Sequence, residues 1–115
     1  MMKSNKISVY LNGKDVKCIG WYDVNTHELT MLSGSYIRKK ISSHFKYNEK
    51  RMAQISEYCH EEGNSFVLDK DVSFKTPTAA AKFSLGYEVN GPLYWQTDNG
   101  NLKSFLQKEI NEKNI

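Results

Sequence analysis

Positively charged side chains gather in one stretch of this sequence, and their chemistry suits phosphate binding. Between residues 38 and 51 there are six cations and one acid, Glu49, so this window carries +5. The chain as a whole carries +3, and its other residues therefore sum to −2. Lysine and arginine neutralise backbone phosphates and release bound counterions, which is the basis of nucleic-acid affinity. The candidate nucleic-acid-binding residues of this window are Arg38, Lys39, Lys40, His44, Lys46, Lys50 and Arg51.

Aromatic residues are interleaved with these cations. Tyr36, Phe45 and Tyr47 lie within or beside the window, and aromatic rings can stack on unpaired bases. The alternative is a solvated basic face on which the aromatic residues act as anchors, and the pattern alone leaves both interpretations open.

A second candidate phosphate site lies at the start of an alanine-rich segment. Thr76 is a good N-cap residue and Pro77 suits the first helical position. A helix that begins here would present free N–H groups and a partial positive charge, to which Thr76 and Thr78 could add hydroxyl donors. The alternative is an ordinary capped helix without a ligand.

Residue types that support catalysis occur without the spacing that catalysis needs. His27, His44 and His60 are predicted in a turn, a basic loop and a helix, and none of them has metal-ligand spacing to another. Cys18 and Cys59 are expected to be reduced, packed thiols. The sequence also lacks the glycine-rich loops that bind nucleotides. We therefore predict no catalytic residues, no metal and no cofactor.

The elements that position these residues can be predicted from periodicity and turn signals. Alternating apolar residues indicate an antiparallel meander of three strands near the N-terminus. Its predicted parts are a strand at residues 6–11, a hairpin turn at Asn12-Gly13, a returning strand with Val16 and Cys18 on one face and Ile19 and Trp21 on the other, and a strand at residues 28–32.

The middle of the chain is predicted to be helical after a loop with an extended start. Asn48 is the expected N-cap of a helix from Glu49 to Glu62 that ends at Gly63. Met52, Ile55 and Cys59 have helical spacing and are expected on its packed face. A strand is predicted at residues 66–68 and a turn at residues 71–74.

The second half is built around residues 74–95. A short helix is expected from Pro77 to Leu85, with Gly86 as its stop. Asn90-Gly91 is interpreted as a tight turn into a strand that contains Leu93, Tyr94 and Trp95. An amphipathic helix that carries Leu102, Phe105, Leu106 and Ile110 follows. The predicted fold is therefore a single α+β domain, residues 1–115, with an antiparallel sheet of about five strands, two longer helices and one short alanine-rich helix.

This central stretch resembles a known family. The family is a small bacterial and phage domain of unknown function that is fused to GIY-YIG nucleases and restriction–modification proteins, and it is similar to the RAMA domain. The resemblance extends over most of the chain after Met31. The residues that carry it are Gly34-Ser35, Gly63, Thr76, Pro77, Thr78, Ala79, Ala80, Ala81, Leu85, Gly86, Asn90, Gly91, Trp95, Gly100, Leu102 and Phe105.

The resemblance implies a module that reads or holds DNA, including modified DNA, in restriction–modification or phage–host conflict. Together with the basic window, it predicts a non-catalytic DNA-binding protein. The alternative is a small protein-binding adaptor or inhibitor whose partner is a nuclease, a methyltransferase or a defence complex. Without an apolar run long enough for a membrane span or a secretory signal, the expected location is the cytoplasm, with no membrane partner.

Overall fold

The computed structural model describes residues 6–39, 48–98 and 100–113, and their side chains as far as residue 108. These ranges form a mixed α+β structure around one antiparallel sheet. Its strands are β1 (Lys6–Gly13), β2 (Val16–Asp23), β3 (Leu29–Met31), β4 (Tyr36–Arg38), β5 (Cys59–Glu62), β6 (Ser65–Leu68), β7 (Val72–Phe74), β8 (Gln96–Thr97) and β9 (Gly100–Asn101). Its helices are α1 (Asn48–Tyr58), α2 (Pro77–Leu85), α3 (Gly91–Tyr94) and α4 (Leu102–Lys113).

The sheet has nine strands in the described residues, not about five as predicted. The main path runs β5-β6-β4-β2-β1-β8-β9, while β3 pairs with both β2 and β7. Several of the additional strands contain only two to four residues, for example β8 and β7. Such short strands have too few residues to show alternation, so their pairing is decided by tertiary contacts. The predicted turn at residues 71–74 is one such case, because it contains β7.

The N-terminal hairpin confirms the predicted first two strands but not their turn. Asn12-Gly13 lies inside the ladder, and Lys14 and Asp15 reverse the chain. Asp15 adopts a left-handed conformation with φ 62°. In this register Leu11 pairs with Cys18, whereas a two-residue turn at Asn12-Gly13 would have placed Leu11 opposite Lys14. Burial of the apolar pair therefore outweighs the local turn preference.

The two faces of the sheet differ. The predicted alternation in β2 is confirmed, since Cys18 is buried while Ile19 and Trp21 are exposed. The buried face forms the core together with α2 and part of α1. Large apolar side chains that are at most 2% exposed in this core are Trp95, Tyr22, Leu11, Leu29, Met31, Ile37, Leu68, Leu102 and Phe83.

Helix α1 is shorter than predicted, and its predicted packed face is confirmed at Ile55 but not at Met52. It ends at Tyr58, and residues 59–62 form strand β5, which returns through Gly63 to pair with β6. The predicted packing through Met52 is wrong, because Met52 is exposed while Arg51 and Ile55 are buried. The predicted N-cap, Asn48, is instead the first residue of the helix. Residues 59–62 form backbone hydrogen bonds with β6 in the sheet. These bonds could not form if α1 continued through residues 59–62.

Helix α2 confirms its predicted start and stop. The Thr76 hydroxyl oxygen accepts a hydrogen bond from Ala79 N at 3.1 Å, and Pro77 occupies the first turn. Gly86 closes the helix with φ 77° and donates its N–H to Lys82 O at 2.9 Å. Local signals therefore define this helix at both ends.

The predicted Asn90-Gly91 turn into a strand is wrong. Residues 91–94 form the short helix α3, for which Pro92 is a suitable first-turn residue. A Cβ atom on Gly91 would lie 2.4 Å from Pro77 C and 2.4 Å from Thr78 N, so α3 approaches the start of α2 as closely as glycine allows. After α3, Trp95 is fully buried and its Nε1 donates to Pro77 O at 3.0 Å.

Helix α4 confirms the predicted C-terminal helix. In the part of the chain that the structure describes, no helix has the length and apolar character needed to cross a bilayer.

Candidate functional site

A cavity of about 420 Å³ lies between α1, β7 and the first turns of α2. Its walls combine four cations, three hydroxyl groups, one amide and two phenylalanine rings, and none of the described residues that line it is Asp or Glu. We call it the basic cavity. Its lining residues are Lys50, Arg51, Gln54, Ser73, Phe74, Lys75, Thr76, Thr78, Ala79, Lys82 and Phe83.

Three lysines give the cavity its outer positive charge. Lys50 and Lys75 are exposed, and no salt bridge joins either of them to an acid of the described residues. Lys82 is more buried, and its Nζ lies 2.9 Å from Glu88 Oε2. Two of the lysines are therefore available at the rim, and the third has a carboxylate partner.

Arg51 supplies the innermost charge. Its side chain is only 1% exposed, and its guanidinium donates from Nε to Phe83 O at 2.7 Å and from Nη2 to Arg38 O. These two backbone carbonyls come from α2 and β4, so Arg51 ties both elements to α1. Burial lowers the pKa of Arg51 to about 10, against a raising effect of Cys59, and the charge of nearby Arg38 adds a smaller lowering effect. The group remains a cation near neutral pH.

The start of α2 forms the opposite wall. Pro77 has no N–H, the Ala79 N–H is capped by the Thr76 side chain, and Ala80 N donates to Thr76 O at 3.3 Å. Thr78 Oγ1 accepts a hydrogen bond from Gly91 N at 3.1 Å, which leaves its hydroxyl proton to donate elsewhere. The helix dipole adds a partial positive charge at the same end.

The predicted binding residues divide into three groups. Lys50, Arg51, Thr76 and Thr78 meet at the basic cavity, although residues 51 and 76 are far apart in the sequence. Lys40, His44 and Lys46 lie outside the described residues. Arg38 and Lys39 form the third group.

Arg38 and Lys39 lie beside a different, smaller cavity, of about 240 Å³, which Lys14, Asp15 and Asn64 complete. The Arg38 guanidinium carbon is 5.7 Å from the centroid of the Tyr87 ring. Lys39 Nζ contacts Glu61 Oε1 at 2.8 Å and Gly63 O at 2.7 Å. The two residues are thus engaged with neighbouring groups rather than turned toward the basic cavity.

Two cavity cations, Lys75 and Lys82, were not among the predicted residues. A signal for both exists in the sequence: Lys75 immediately precedes the N-cap Thr76, and Lys82 lies one turn after Thr78 on the same helix. Both lysines lie outside the dense basic window at residues 38–51, so the local density of positive charge does not indicate them.

The groups considered for catalysis are dispersed. Cys18 and Cys59 are both free thiols. Burial raises the pKa of Cys18 to about 12 and that of Cys59 to about 11, which is opposite to the activation of a nucleophile. His60 forms hydrogen bonds with Asp69 and Glu62 on the surface. Among residues 6–39, 48–98 and 100–113, no group of three or more His, Cys, Asp or Glu side chains could hold a metal ion.

Comparison with known proteins identifies the family. The family model described as Domain of unknown function (DUF4357) matches residues 9–107, which is most of the chain, and the chain therefore belongs to this family. Searches of curated proteins and of solved structures find no significant match.

Proposed function

We propose that this member of the family is a non-catalytic DNA-binding module that holds the phosphate backbone at the basic cavity. One observation carries the proposal: four cations from α1, α2 and the residue before its cap line one cavity, its described lining residues include no Asp or Glu, and only Lys82 is paired with a carboxylate, that of Glu88. Phosphates are the common biological anions that such a surface attracts, and the dipole of α2 favours them further. The resemblance to domains of restriction–modification proteins supports DNA as the nucleic acid, including modified DNA, in restriction or phage–host conflict.

The test is binding of a fluorescent DNA duplex, measured by anisotropy between 50 and 200 mM salt. If the cavity neutralises two or three phosphates, the affinity falls about 10- to 40-fold over this range. The double variant Lys50→Glu/Lys75→Glu, which reverses the two rim charges, is expected to abolish binding at 100 mM salt.

A matched control separates the cavity from net charge. Lys70 and Lys103 are exposed and do not line the basic cavity. The variant Lys70→Glu/Lys103→Glu changes the net charge by the same amount and is expected to retain most of the affinity. Equal loss in both double variants would show that binding follows overall charge and would remove the cavity from the proposal.

The second candidate function is a protein-binding adaptor or inhibitor, and the exposed face of the sheet favours it. Ile19, Trp21 and Tyr36 are 43%, 39% and 37% exposed. Ile19 and Trp21 alternate with buried residues of β2, and Tyr36 pairs with Lys17 of the same strand, so the three share one face. Apolar groups exposed together are typical of interaction surfaces.

Under this second candidate function, the binding affinity should depend little on salt concentration. Binding to a nuclease or methyltransferase encoded beside this chain should change little between 50 and 200 mM salt and should be lost in Trp21→Lys. Calorimetric titration with the purified partner measures both effects. Affinity for such a partner that survives Trp21→Lys would exclude this face as the interface.

A further inference from the structure

Only part of the Arg51 guanidinium group forms hydrogen bonds. Nε and Nη2 reach the carbonyls of Phe83 and Arg38, but Nη1 is buried and has no hydrogen-bond partner among the described residues. A buried polar group normally has a partner, and a buried charge normally has a counterion. No carboxylate of the described residues forms a salt bridge with Arg51. The interior therefore contains a fixed cation whose remaining donors are unsatisfied.

The position of Arg51 indicates what could satisfy it. The residue lines the basic cavity opposite the start of α2, where the dipole and the Thr76 and Thr78 hydroxyls also favour an anion. The two carbonyl contacts hold the guanidinium plane in place, so its donors are oriented before a ligand arrives. Planar, preorganised N–H donors bind phosphate oxygens well.

We propose that the basic cavity is a seat for a single phosphate group, with Arg51 Nη1 as its innermost donor and the Thr76 and Thr78 hydroxyls opposite. The inference rests on the proposed function and deepens it, because it assigns one phosphate of the bound DNA to the interior of the cavity rather than to the surface lysines. Phe74, Phe83 and Ala79 form an apolar wall beside this seat, which suits the sugar that carries the phosphate.

A substitution at Ala79 gives the most direct test of the proposed phosphate site. It is exposed, it lines the cavity, and it lies three residues after the N-cap Thr76. A glutamate at this position completes a capping box, so Ala79→Glu is expected to fold at least as well as the wild-type protein. The same carboxylate places a negative charge in the cavity and competes for Arg51. Ala79→Gln is the matched control, because it has the same shape and capping ability without the charge.

The first measurement uses inorganic phosphate as the probe. Phosphate is titrated against chloride at equal ionic strength, and the melting temperature and the ¹⁵N–¹H signal of Arg51 Nε are followed. The chain has two arginines, so this signal is readily assigned. We expect saturable shifts of both observables in the wild-type protein, and an affinity at least about tenfold weaker in Ala79→Glu than in Ala79→Gln, which adds the same bulk to the cavity wall without the charge. An unchanged affinity in Ala79→Glu would overturn the inference.

The second measurement separates this inference from the proposed function and identifies the source of the phosphate. DNA oligonucleotides with and without a 5′-phosphate are compared by anisotropy and by the same Arg51 signal. DNA that binds without shifting Arg51 would overturn the phosphate seat and leave DNA binding intact. Inorganic phosphate that shifts Arg51 while DNA does not bind would support the seat and overturn the DNA proposal. A preference for the 5′-phosphorylated strand would support the seat and assign it to chain ends, whereas equal shifts would support it and assign it to internal phosphodiesters.

Discussion

Replacement of Gly91 by alanine tests the contact that holds α3 against the start of α2. The added Cβ would lie 2.4 Å from Pro77 C, 2.4 Å from Thr78 N and 2.5 Å from Pro77 O. All three are backbone atoms, so no side-chain rotation can relieve the overlap. An ordinary contact requires a separation of about 1 Å more, and α3 must move away from α2 by roughly that distance.

The expected cost follows from what this movement breaks. The hydrogen bonds from Gly91 N to Thr78 Oγ1, at 3.1 Å, and from Trp95 Nε1 to Pro77 O, at 3.0 Å, would both exceed hydrogen-bonding distance. Each contributes about 1 kcal/mol, and the residual strain adds a similar amount. We therefore expect the free energy of unfolding to fall by about 3 kcal/mol, which lowers the melting temperature by roughly 12 °C in a chain of this size.

Urea denaturation monitored by circular dichroism measures the change, and Gly13→Ala is the matched control. A Cβ on Gly13 meets no atom within 4 Å, so this variant should stay within about 0.5 kcal/mol of the wild-type protein. If Gly91→Ala were as stable as Gly13→Ala, the close approach of α3 to α2 would be refuted. The indole N–H signal of Trp95 provides a second, local readout of the same displacement.

Three further predictions concern a helix cap and two titrating groups. Thr76→Ala should lower the free energy of unfolding by about 1 kcal/mol because the Ala79 N–H loses its acceptor, whereas Thr76→Ser should be nearly neutral; chemical denaturation compares them. The raised pKa of buried Cys18 means that the unfolded thiol ionises above pH 9.0 while the folded thiol stays protonated until about pH 12. Stability should therefore fall by about 1 kcal/mol between pH 8 and pH 10 on account of this group, and the part of the slope lost in Cys18→Ala measures it. The hydrogen bond that His60 Nδ1 donates to Asp69 Oδ1 raises the pKa of His60 above 6.5, so the stabilising contribution of His60 is complete below that pH and disappears as the pH passes the raised pKa. An NMR titration of Asp69→Asn should return the His60 pKa toward its ordinary value, and an unchanged pKa would contradict the assigned cause.

The sequence predicts elements well where the signals are local. Helix α2 has its N-cap, first-turn proline and glycine stop between Thr76 and Gly86, and all three are confirmed. The Asn12-Gly13 and Asn90-Gly91 pairs are also strong local signals, yet both predictions failed for tertiary reasons. Pairing of Leu11 with Cys18 shifted the first turn, and the approach of Gly91 to α2 produced a short helix.

The candidate site was predictable only in part. Helical spacing places Arg51 four residues before buried Ile55, so a helical wheel would have shown that Arg51 lies on the packed face. It would not have shown the carbonyls of Phe83 and Arg38, because these depend on how α1 docks. The same docking brings Lys50 to the start of α2 and leaves Lys39 with Glu61, which no local pattern specifies.

The pairing of β1 has a consequence for the order of assembly. Its neighbour on one side, β2, follows at once in the chain, whereas on the other side Tyr10 pairs with Gln96, near the end of the described residues. Closing so long a loop is slow compared with forming a hairpin, so we expect the N-terminal ribbon to appear early in refolding and its second edge to remain open until late. During that interval the open edge is a template for strand exchange between molecules, and refolding yield should decline as protein concentration rises.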